Sequence, residues 1–403
     1  MKKVYLRGRS GAGPVHSIYR ELTKFPPDGY QFVTGGLESA GKQRLVFDLN
    51  KKFENIPYAR EVWREVKTLQ YVGIRHVQGL QAKTRTDSGL VYASQQLVLD
   101  RTPWVVDFEY ANALVNYGDI RLCRRFVQKA LSSKHCRRIL PWSDWAERTL
   151  YRSLNCASLK EKIERVHFAI SPKAFIKKRN DDKVRFLFVG STNQLNFFNF
   201  EWKGGYEVVE AFLELSKKYD RLELVMRSWV PPEIQERYAN RPDIKILSTP
   251  LSEDALARLY ASSDVLLFPT HLNLGMAILE AMSYELPVIA VSLYDVPEAV
   301  QDMKTGILLK PQPNVPYYTW NGAPNHYDWE LLRRIRQSRA RMVSQIIEKA
   351  SLLIEDVSLK KRLGREARQS VEQGEFSIKK RNEKLKRIFD EATYAAWSSC
   401  VAA

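Results

Sequence analysis

The stretch that decides the fold is VRFLFVG at residues 184–190, an apolar run that ends in glycine. Further apolar, strand-like runs follow it at LELVMRSW, IKILST, VLLFPT, PVIAVS and GILLK. Helices are expected between these runs from Lys203 to Tyr219, after Pro231, after Ser252 and from Met276 to Glu285. Short buried runs that alternate with amphipathic segments are typical of parallel strands wrapped by helices, so this part is predicted to be a doubly wound α/β domain.

The N-terminal half repeats the same alternation. Its strand-like runs are VYLRG, YQFVTG, LVFDL, PWVVDFEY and RRILPWS, with helices expected near residues 14–24 and 118–131. At 403 residues the chain is longer than a domain with a single hydrophobic core usually is. The predicted fold class is therefore α/β, with two facing Rossmann-like domains and a helical C-terminal tail, one of whose segments is capped by Ser358. The expected divisions are residues 1–180, residues 181–375, and a helix at residues 376–403 that returns to the first domain.

The net charge of +17 is confined to one half of the chain. Residues 1–185 hold 35 Lys and Arg against 18 Asp and Glu, whereas residues 186–403 hold 28 of each. Such an asymmetry suggests one anionic partner surface, which could be a membrane, a nucleic acid or an acidic acceptor. An ordinary solvated face is the alternative.

Nothing in the sequence directs the chain into or across a membrane. The opening residues MKKVYLRG lead into a loop without a signal-like apolar stretch, and polar residues interrupt the most apolar region, Val265 to Leu293. The four cysteines lack metal-type spacing. We expect reduced thiols and a cytoplasmic location.

Open α/β sheets bind ligands beyond the carboxyl ends of their strands, so the loops after the apolar runs are the informative places. After VRFLFVG the chain passes Ser191 and reaches a predicted helix start at Lys203, Gly204 and Gly205. The helix dipole disfavours a lysine there unless an anion such as phosphate shares the position. The alternative is a solvated lysine whose neighbouring glycines only shape the turn.

A second loop follows VLLFPT and leads through Asn273 and Gly275 to a helix that starts at Met276. Glu280 lies about one turn into this otherwise apolar helix. A buried carboxylate needs hydrogen-bond donors, which ribose hydroxyls would supply, as would local backbone amides or a nearby arginine. Gly275 would let backbone amides approach a sugar or phosphate closely.

In the first half, the loop RGRSGAG at residues 7–13 follows the opening strand. Gly11 and Gly13 give it the form of a phosphate cradle, although it lacks both the dinucleotide spacing and a Gly-Lys-Ser/Thr ending. Asp107 and Glu109 end another strand, where ligands usually bind. A helix-capping role for one of these acids is an equally good interpretation.

Several segments taken together resemble the C-terminal domain of glycosyltransferase family 4. They are KGGYEVVEAF, LLFPTHLNLG, LEAMSYELPVIAVS and EAVQDMKTGILLK, which span most of residues 184–375. The first half is similar more loosely, through the glycine loop, PWVVDFE and RRILPWSDWAERTL. The resemblance implies a GT-B fold that holds an acceptor in the N-terminal domain and a nucleotide sugar in the C-terminal domain. It also implies that the sugar is transferred in the cleft between them with retention of configuration, and that no metal or other cofactor is needed. The lack of an Asp-x-Asp motif agrees with a metal-free reaction.

The resemblance also assigns roles to residues. Lys203 matches the family's phosphate lysine and Glu280 its ribose-binding glutamate, and both are candidate catalytic residues together with Glu109. Donor binding is expected at Gly11, Gly13, Ser191, Lys203, Arg227, Asn273, Gly275, Met276 and Glu280. Acceptor binding is expected at His16, Asp107 and Glu109. Glu109 aligns with a histidine of many relatives and could accept the acceptor proton or merely orient the acceptor.

The sequence departs from the family pattern at two positions. Leu272 stands where the family has the first glutamate of its Glu, seven residues, Glu motif, and Ser191 stands where it has an arginine. Arg227, at a position where glycine is common, could supply the lost cation. These departures are compatible with three interpretations: the donor is unusual, the donor sugar needs fewer contacts, or the site has no activity.

The predicted function is a retaining, hexosyltransferase-type glycosyltransferase that acts on a glycan, lipid-linked or membrane-proximal acceptor. One alternative is a catalytically degenerate GT-B protein that only binds sugar nucleotides. Another is a glycosyltransferase that acts on nucleic acid through its basic half, but the sequence lacks the aromatic and glycine motif of single-strand readers. We therefore favour peripheral attachment to the cytoplasmic face of an anionic membrane.

Overall fold

The computed structural model describes most of the chain, and it divides into two compact units. The described residues are 1–7, 17–33, 89–99, 101–115, 117–175, 182–192, 199–272, 275–325 and 328–401, with side chains described up to residue 393. The first unit comprises Met1–Ala169, Tyr318–Ala323 and Ile378–Ala403, and the second comprises Ile170–Tyr317 and Pro324–Ser377. The predicted strand LVFDL and the loop with Gly11, Gly13 and His16 lie outside the described residues.

A parallel sheet forms the centre of the first unit, with strand order β2-β1-β3-β4-β5. The strands are β1 (Lys2–Arg7), β2 (Tyr30–Val33), β3 (Leu90–Ser94), β4 (Trp104–Phe108) and β5 (Cys136–Pro141). The helices are α1 (Ser17–Lys24), α2 (Arg124–Ser132) and α3 (Asp144–Ser153), with 3-10 turns at Ala111–Val115, Ile120–Cys123 and Ala157–Lys162. All residues of β3 and β4 are buried, which places the core around these two central strands.

The C-terminal helix α12 (Ile378–Val401) belongs to the first unit. Its Phe389 ring packs edge-to-face against Tyr30, Phe32 and Tyr92, with ring centroids 5.2, 6.0 and 6.2 Å away. Aromatic pairs in this geometry gain energy beyond the area that they bury. The prediction that the tail returns to the first domain is confirmed.

The second unit has its own parallel sheet, with strand order β11-β10-β9-β6-β7-β8. The strands are β6 (Val184–Val189), β7 (Leu222–Arg227), β8 (Ile244–Leu247), β9 (Val265–Phe268), β10 (Val288–Val291) and β11 (Gly306–Leu309). The helices are α4 (Asn199–Trp202), α5 (Gly205–Lys218), α6 (Pro232–Tyr238), α7 (Glu253–Ala261), α8 (Met276–Ser283), α9 (Val296–Ala299), α10 (Trp329–Glu355) and α11 (Val357–Gln373). The predicted fold class, two parallel α/β domains with a helical tail, is thereby confirmed.

Strand order in the second sheet reverses between β6 and β9. The chain builds outward from β6 to β7 and β8, then returns to the other side of β6 with β9 and continues to β10 and β11. Loops that leave neighbouring strands in opposite directions open a crevice at the carboxyl ends, which is where doubly wound sheets bind ligands. The loops after β6 and β9 therefore border the expected ligand position.

Two glycines shape the segment after β6 that packs against the loop after β9. Gly204 has φ +78°, and a Cβ added to it would lie 2.5 Å from the carbonyl oxygen of Pro269. A Cβ on Gly205 would lie 2.4 Å from the Phe200 ring. The His271 amide donates to the Trp202 carbonyl at 2.9 Å. The glycines are thus needed so that the two loops can pack closely.

Two local expectations are corrected and one is confirmed. Helix α5 begins at Gly205 and not at Lys203, because the positive φ of Gly204 interrupts the helical turn. Helix α11 is capped by Asp356 and not by Ser358, since Asp356 is extended and its carboxylate accepts from the Leu359 amide at 2.8 Å. Ser252 caps α7 as predicted and accepts from the Ala255 amide at 3.2 Å.

In the described part of the chain, no helix combines the length and the apolar character that crossing a bilayer requires.

We predict that Gly204→Ala destabilises the second unit by about 1–3 kcal/mol, because alanine at φ +78° is strained and its methyl group would collide with Pro269. The matched control is Gly275→Ala, where φ is −105° and the added Cβ would lie 3.6 Å from Phe268, an ordinary contact. Chemical unfolding should show a loss for the first variant alone. Equal losses in both variants would contradict this account of the turn.

Candidate functional site

Lys203 lies at the switch point of the second sheet. It occupies the turn between α4 and α5, and its Nζ atom lies 5.1 Å from the centroid of the Phe268 ring, the last residue of β9. The side chain is partly buried. Burial, followed by the nearby positive charge of Arg227, lowers the pKa of Lys203 to about 8. A protonated amine that is partly removed from water is stabilised by a nearby anion.

Arg227 is the second cation of the site. It ends β7, and its Nη1 atom donates to the Gly190 carbonyl at 3.2 Å, while its Nε atom is buried without a hydrogen-bond partner. Within the described ranges, no carboxylate lies within 4.0 Å of the charged nitrogens of Lys203 or Arg227. Two neighbouring cations that are partly removed from water and not neutralised are costly unless an anion joins them. We call them the cation pair.

The loops after β6 and β7 are packed against each other beside the cation pair. A Cβ on Gly190 would lie 2.1 Å from the Ser228 Oγ atom, so only glycine fits there. The Gly190 amide donates to the Arg227 carbonyl at 2.9 Å, and the Trp229 amide donates to the Ser191 carbonyl at 2.8 Å. Ser191, one of the predicted donor-binding residues, is thereby fixed next to Arg227.

Glu280 lies in the second turn of α8 and is oriented by a tyrosine. Its Oε2 atom accepts a hydrogen bond from the Tyr260 hydroxyl at 2.9 Å. Burial raises the pKa of Tyr260, the negative charge of Glu280 raises it further, and the charge of Arg227 lowers it. Tyr260 therefore lies within electrostatic reach of both residues. Its ring stacks on Tyr284 with centroids 5.4 Å apart and an angle of 10°.

The start of α8 offers backbone amides. Gly275 is the N-cap, with an extended backbone and no side-chain cap, and Met276 begins the helix as a buried residue. The first amides of a helix have no partner within the helix and carry partial positive charge. Asn273 lies outside the described residues.

A buried ionic cluster supports the loop after β9. The His271 Nε2 atom lies 3.6 Å from the Glu207 Oε1 atom, and the Arg339 Nε atom lies 3.7 Å from the same oxygen. The His271 ring stacks on Tyr317 at 6.0 Å. This cluster joins α5, α10 and the residue before Leu272, so it supports the start of the loop after β9.

In the first unit, Asp107 is buried and its carboxylate is occupied. It accepts from the hydroxyls of Tyr19 and Tyr92, both at 3.0 Å, and from the Gln95 amide at 3.2 Å. Burial raises the pKa of Asp107 to about 6, against the opposing effect of these donors. This placement favours a structural role for Asp107. Glu109, two residues further along, is partly exposed.

The sequence did not point to Tyr260, Tyr284 or His271 as parts of the site. In the sequence, Tyr260 and Tyr284 have the pattern of ordinary aromatic residues in amphipathic helices. Their spacing does not predict a contact with Glu280. Lys203 was predicted as a phosphate-binding lysine at a helix start, and Arg227 as a replacement for the arginine missing at Ser191; the structure places the two within electrostatic reach of each other. In the described ranges, no three His, Cys, Asp or Glu side chains come together as a metal site would require.

Comparison with known proteins gives a family-model match and a shared fold. Residues 183–316 match the family model of glycosyl transferases group 1. No curated protein sequence matches the chain. Among solved structures, a glycosyltransferase from Rickettsia africae is similar over 97% of this chain and 98% of its own, with a TM-score of 0.57 and 15% identity.

Two further solved structures share the architecture. HepE from Anabaena, solved in complex with UDP, matches over 97% of this chain and 100% of its own, with a TM-score of 0.59 and 12% identity. Sucrose-phosphate synthase from Thermosynechococcus elongatus matches over 81% and 79%, with a TM-score of 0.54 and 13% identity. The chain therefore has the two-domain GT-B fold of these enzymes. The residues that match the family model lie in its second unit.

We predict that Asp107→Asn gains stability relative to the unchanged protein as pH rises from 4 to 7. The pKa of Asp107 is raised to about 6 from its usual 3.8, so its stabilising contribution is present below pH 4 and is lost as pH rises through 6. Asparagine cannot ionise, so the difference in unfolding free energy should move by about 1–3 kcal/mol. Urea unfolding at a series of pH values measures it.

Asp119→Asn is the matched control for this titration. Burial acts to raise the pKa of Asp119, but the hydrogen bonds and the charge of Arg121 together lower it, so its stabilising contribution is nearly complete by about pH 5 and changes little above pH 4. The Asp119→Asn difference should stay nearly constant over the same range. An Asp107→Asn difference that is equally flat would contradict the assignment of Asp107.

Proposed function

We propose that this protein transfers a sugar from a nucleoside-diphosphate sugar to an acceptor hydroxyl, with retention of configuration. The observation that carries the proposal is the cation pair, which has no carboxylate partner in the described ranges and lies in the domain that matches glycosyl transferases group 1. A diphosphate has the charge and the size to bridge two such cations. HepE, which has a similar fold, is known in complexes with UDP and with UDP-glucose, which supports a nucleotide sugar as donor.

Lys203 and Arg227 then act on the leaving group. As the bond between the anomeric carbon and the phosphate oxygen breaks, negative charge accumulates on the diphosphate. Cations that are already in place stabilise that charge without reorganising, which is the most effective form of electrostatic catalysis. The uncapped amides at the start of α8 add to this stabilisation. Because these groups can meet the diphosphate charge themselves, we propose that transfer needs no metal ion, and activity should persist in EDTA.

Glu280 holds the ribose in this proposal. A carboxylate accepts from the two vicinal hydroxyls of a ribose, and Tyr260 fixes its orientation through the 2.9 Å hydrogen bond. Glu109 in the first unit is the candidate for orienting the acceptor hydroxyl, and the first unit is proposed as the acceptor domain. Proton NMR of the product would determine whether the anomeric configuration is retained.

The test of the proposed function is a thermal-shift screen against nucleoside diphosphates and nucleotide sugars. A ligand that binds only the folded state must raise the apparent stability of the protein. At least one nucleoside diphosphate should raise the melting temperature, and the matching nucleotide sugar should then be consumed when acceptors are supplied. If none of these ligands raised the melting temperature, the proposal would be wrong.

A donor-binding protein without transfer activity is the second candidate, favoured by Leu272 at the position of the missing glutamate. It predicts a thermal shift with nucleotide sugars but neither transfer nor hydrolysis. The two candidates are therefore separated by turnover and not by binding.

We predict that the affinity for a nucleoside diphosphate falls as pH rises above about 8. Lysine is cationic below its pKa, and the pKa of Lys203 in the free protein is about 8, so the attraction to phosphate is present at neutral pH and fades in alkali. Each pH unit above the pKa should weaken binding by up to about tenfold. Calorimetric titration from pH 7 to pH 10 measures this.

Lys203→Arg and Lys203→Ala are the controls for this pH dependence. Arginine stays protonated throughout, so the first variant should keep its affinity in alkali. The second should bind weakly at every pH. An alkaline loss that persists in Lys203→Arg would assign the titration to another group.

A further inference from the structure

A surface patch of the first unit combines exposed apolar side chains with arginines. It consists of Arg121, Leu122, Arg124, Arg125, Arg152, Tyr318 and Trp320, and we call it the aromatic-arginine patch. Leu122, Tyr318 and Trp320 are between 45% and 52% exposed. A group of large apolar side chains that are exposed together often marks an interaction surface.

The turn that presents the aromatic residues is rigidly anchored. Asn321 is fully buried and donates to Asn112 Oδ1 at 2.7 Å and to Ser153 Oγ at 2.8 Å. The Trp145 indole donates to the Gly322 carbonyl at 2.9 Å. The anchored turn therefore fixes the backbone from which Tyr318 and Trp320 extend, which lowers the cost of ordering when a partner binds.

Two arginines lie close to this turn. The Arg121 guanidinium lies 5.2 Å from the centroid of the Trp320 ring, and a Cβ on Gly322 would lie 2.5 Å from Arg152 Nη1. Arg121 is neutralised by Asp119, which also interacts with the Trp320 indole. Trp320 thus lies against an arginine that Asp119 neutralises, and a second arginine, Arg152, lies close to Gly322 in the same turn.

Three arginines of the patch remain without an anionic partner. Arg124 and Arg125 begin α2, and like Arg152 they are exposed. Across the described residues, no carboxylate lies within 4.0 Å of any of the three. Arginines in the first turn of a helix are also disfavoured by its dipole, so an external anion would relieve two unfavourable interactions.

We propose that the aromatic-arginine patch docks the first unit on an anionic lipid surface. Tryptophan and tyrosine favour the boundary between lipid headgroups and hydrocarbon, and clustered arginines are attracted to anionic headgroups. Leu122 adds apolar contact that a nucleic acid would not use, and one face of Trp320 is covered by Arg121 rather than open for base stacking. The observations therefore favour lipid over nucleic acid.

This docking deepens the proposed function, because it would place the acceptor domain at a surface that carries lipid-linked acceptors. The attachment itself requires no sugar transfer, so the two proposals fail separately.

The test is co-sedimentation of the full chain, without nucleotide, with vesicles of phosphatidylglycerol and phosphatidylcholine in equal parts and with vesicles of phosphatidylcholine alone. The protein should bind the anionic vesicles and should be released by salt. Arg124→Ala/Arg125→Ala should lower the partition coefficient by about fivefold for each arginine removed. Trp320→Ala should lower it as well.

Matched controls come from exposed residues of the second unit. Trp329 is 41% exposed, and Arg237 and Arg341 are exposed arginines for which the described ranges contain no ion-pair partner. Trp329→Ala and Arg237→Ala/Arg341→Ala should bind vesicles as the unchanged protein does. A far-UV circular dichroism spectrum and a melting temperature that are unchanged in Trp320→Ala would show that this variant is folded.

Several results would overturn the proposal. They are equal binding to both vesicle types, no binding to either, or equal losses in the control variants. A Trp320-dependent dimer in sedimentation velocity would assign the patch to a second copy of the chain. Salt-dependent binding of RNA without binding of vesicles would assign it to nucleic acid.

Discussion

The second unit depends on one electrostatic constraint, which is that Lys203 and Arg227 are held near each other while no described carboxylate lies within 4.0 Å of either. Ion pairs neutralise most other buried or partly buried charges of this unit. Arg336 and Arg339 both contact Glu201, and Arg185 contacts Glu223. Within the described part of the second unit, Lys203 and Arg227 are partly buried cations at the switch point with no ion-pair partner, and this arrangement favours the binding of an anion there.

The backbone around the cation pair is built to keep this arrangement. Gly190 allows the loops after β6 and β7 to touch, and Gly204 allows the turn with Lys203 to pack on Pro269. The buried cluster of Glu207, His271 and Arg339 joins α5 to the loop after β9. Rigid support of this kind matters because electrostatic stabilisation of a leaving group is lost if the charges must first move into position.

Much of the architecture could be predicted from the sequence, because its signals are local. The run VRFLFVG predicted β6, Ser252 predicted the start of α7, and the apolar helix with Glu280 predicted α8. Contacts between distant segments could not be predicted. The hydrogen bond from Tyr260 to Glu280, the stacking of His271 on Tyr317 and the docking of Asn321 into the first unit join residues that no periodicity connects. The expected roles of Gly11, Gly13, His16 and Asn273 stay predictions, since these residues lie outside the described part of the chain.

The most direct test is a crystal structure of the protein with the nucleoside diphosphate that gives the largest thermal shift. The account predicts that diphosphate oxygens lie within about 3 Å of both Lys203 Nζ and the Arg227 guanidinium, with the ribose hydroxyls on Glu280. A diphosphate bound elsewhere, with the cation pair left facing solvent or each other, would contradict it.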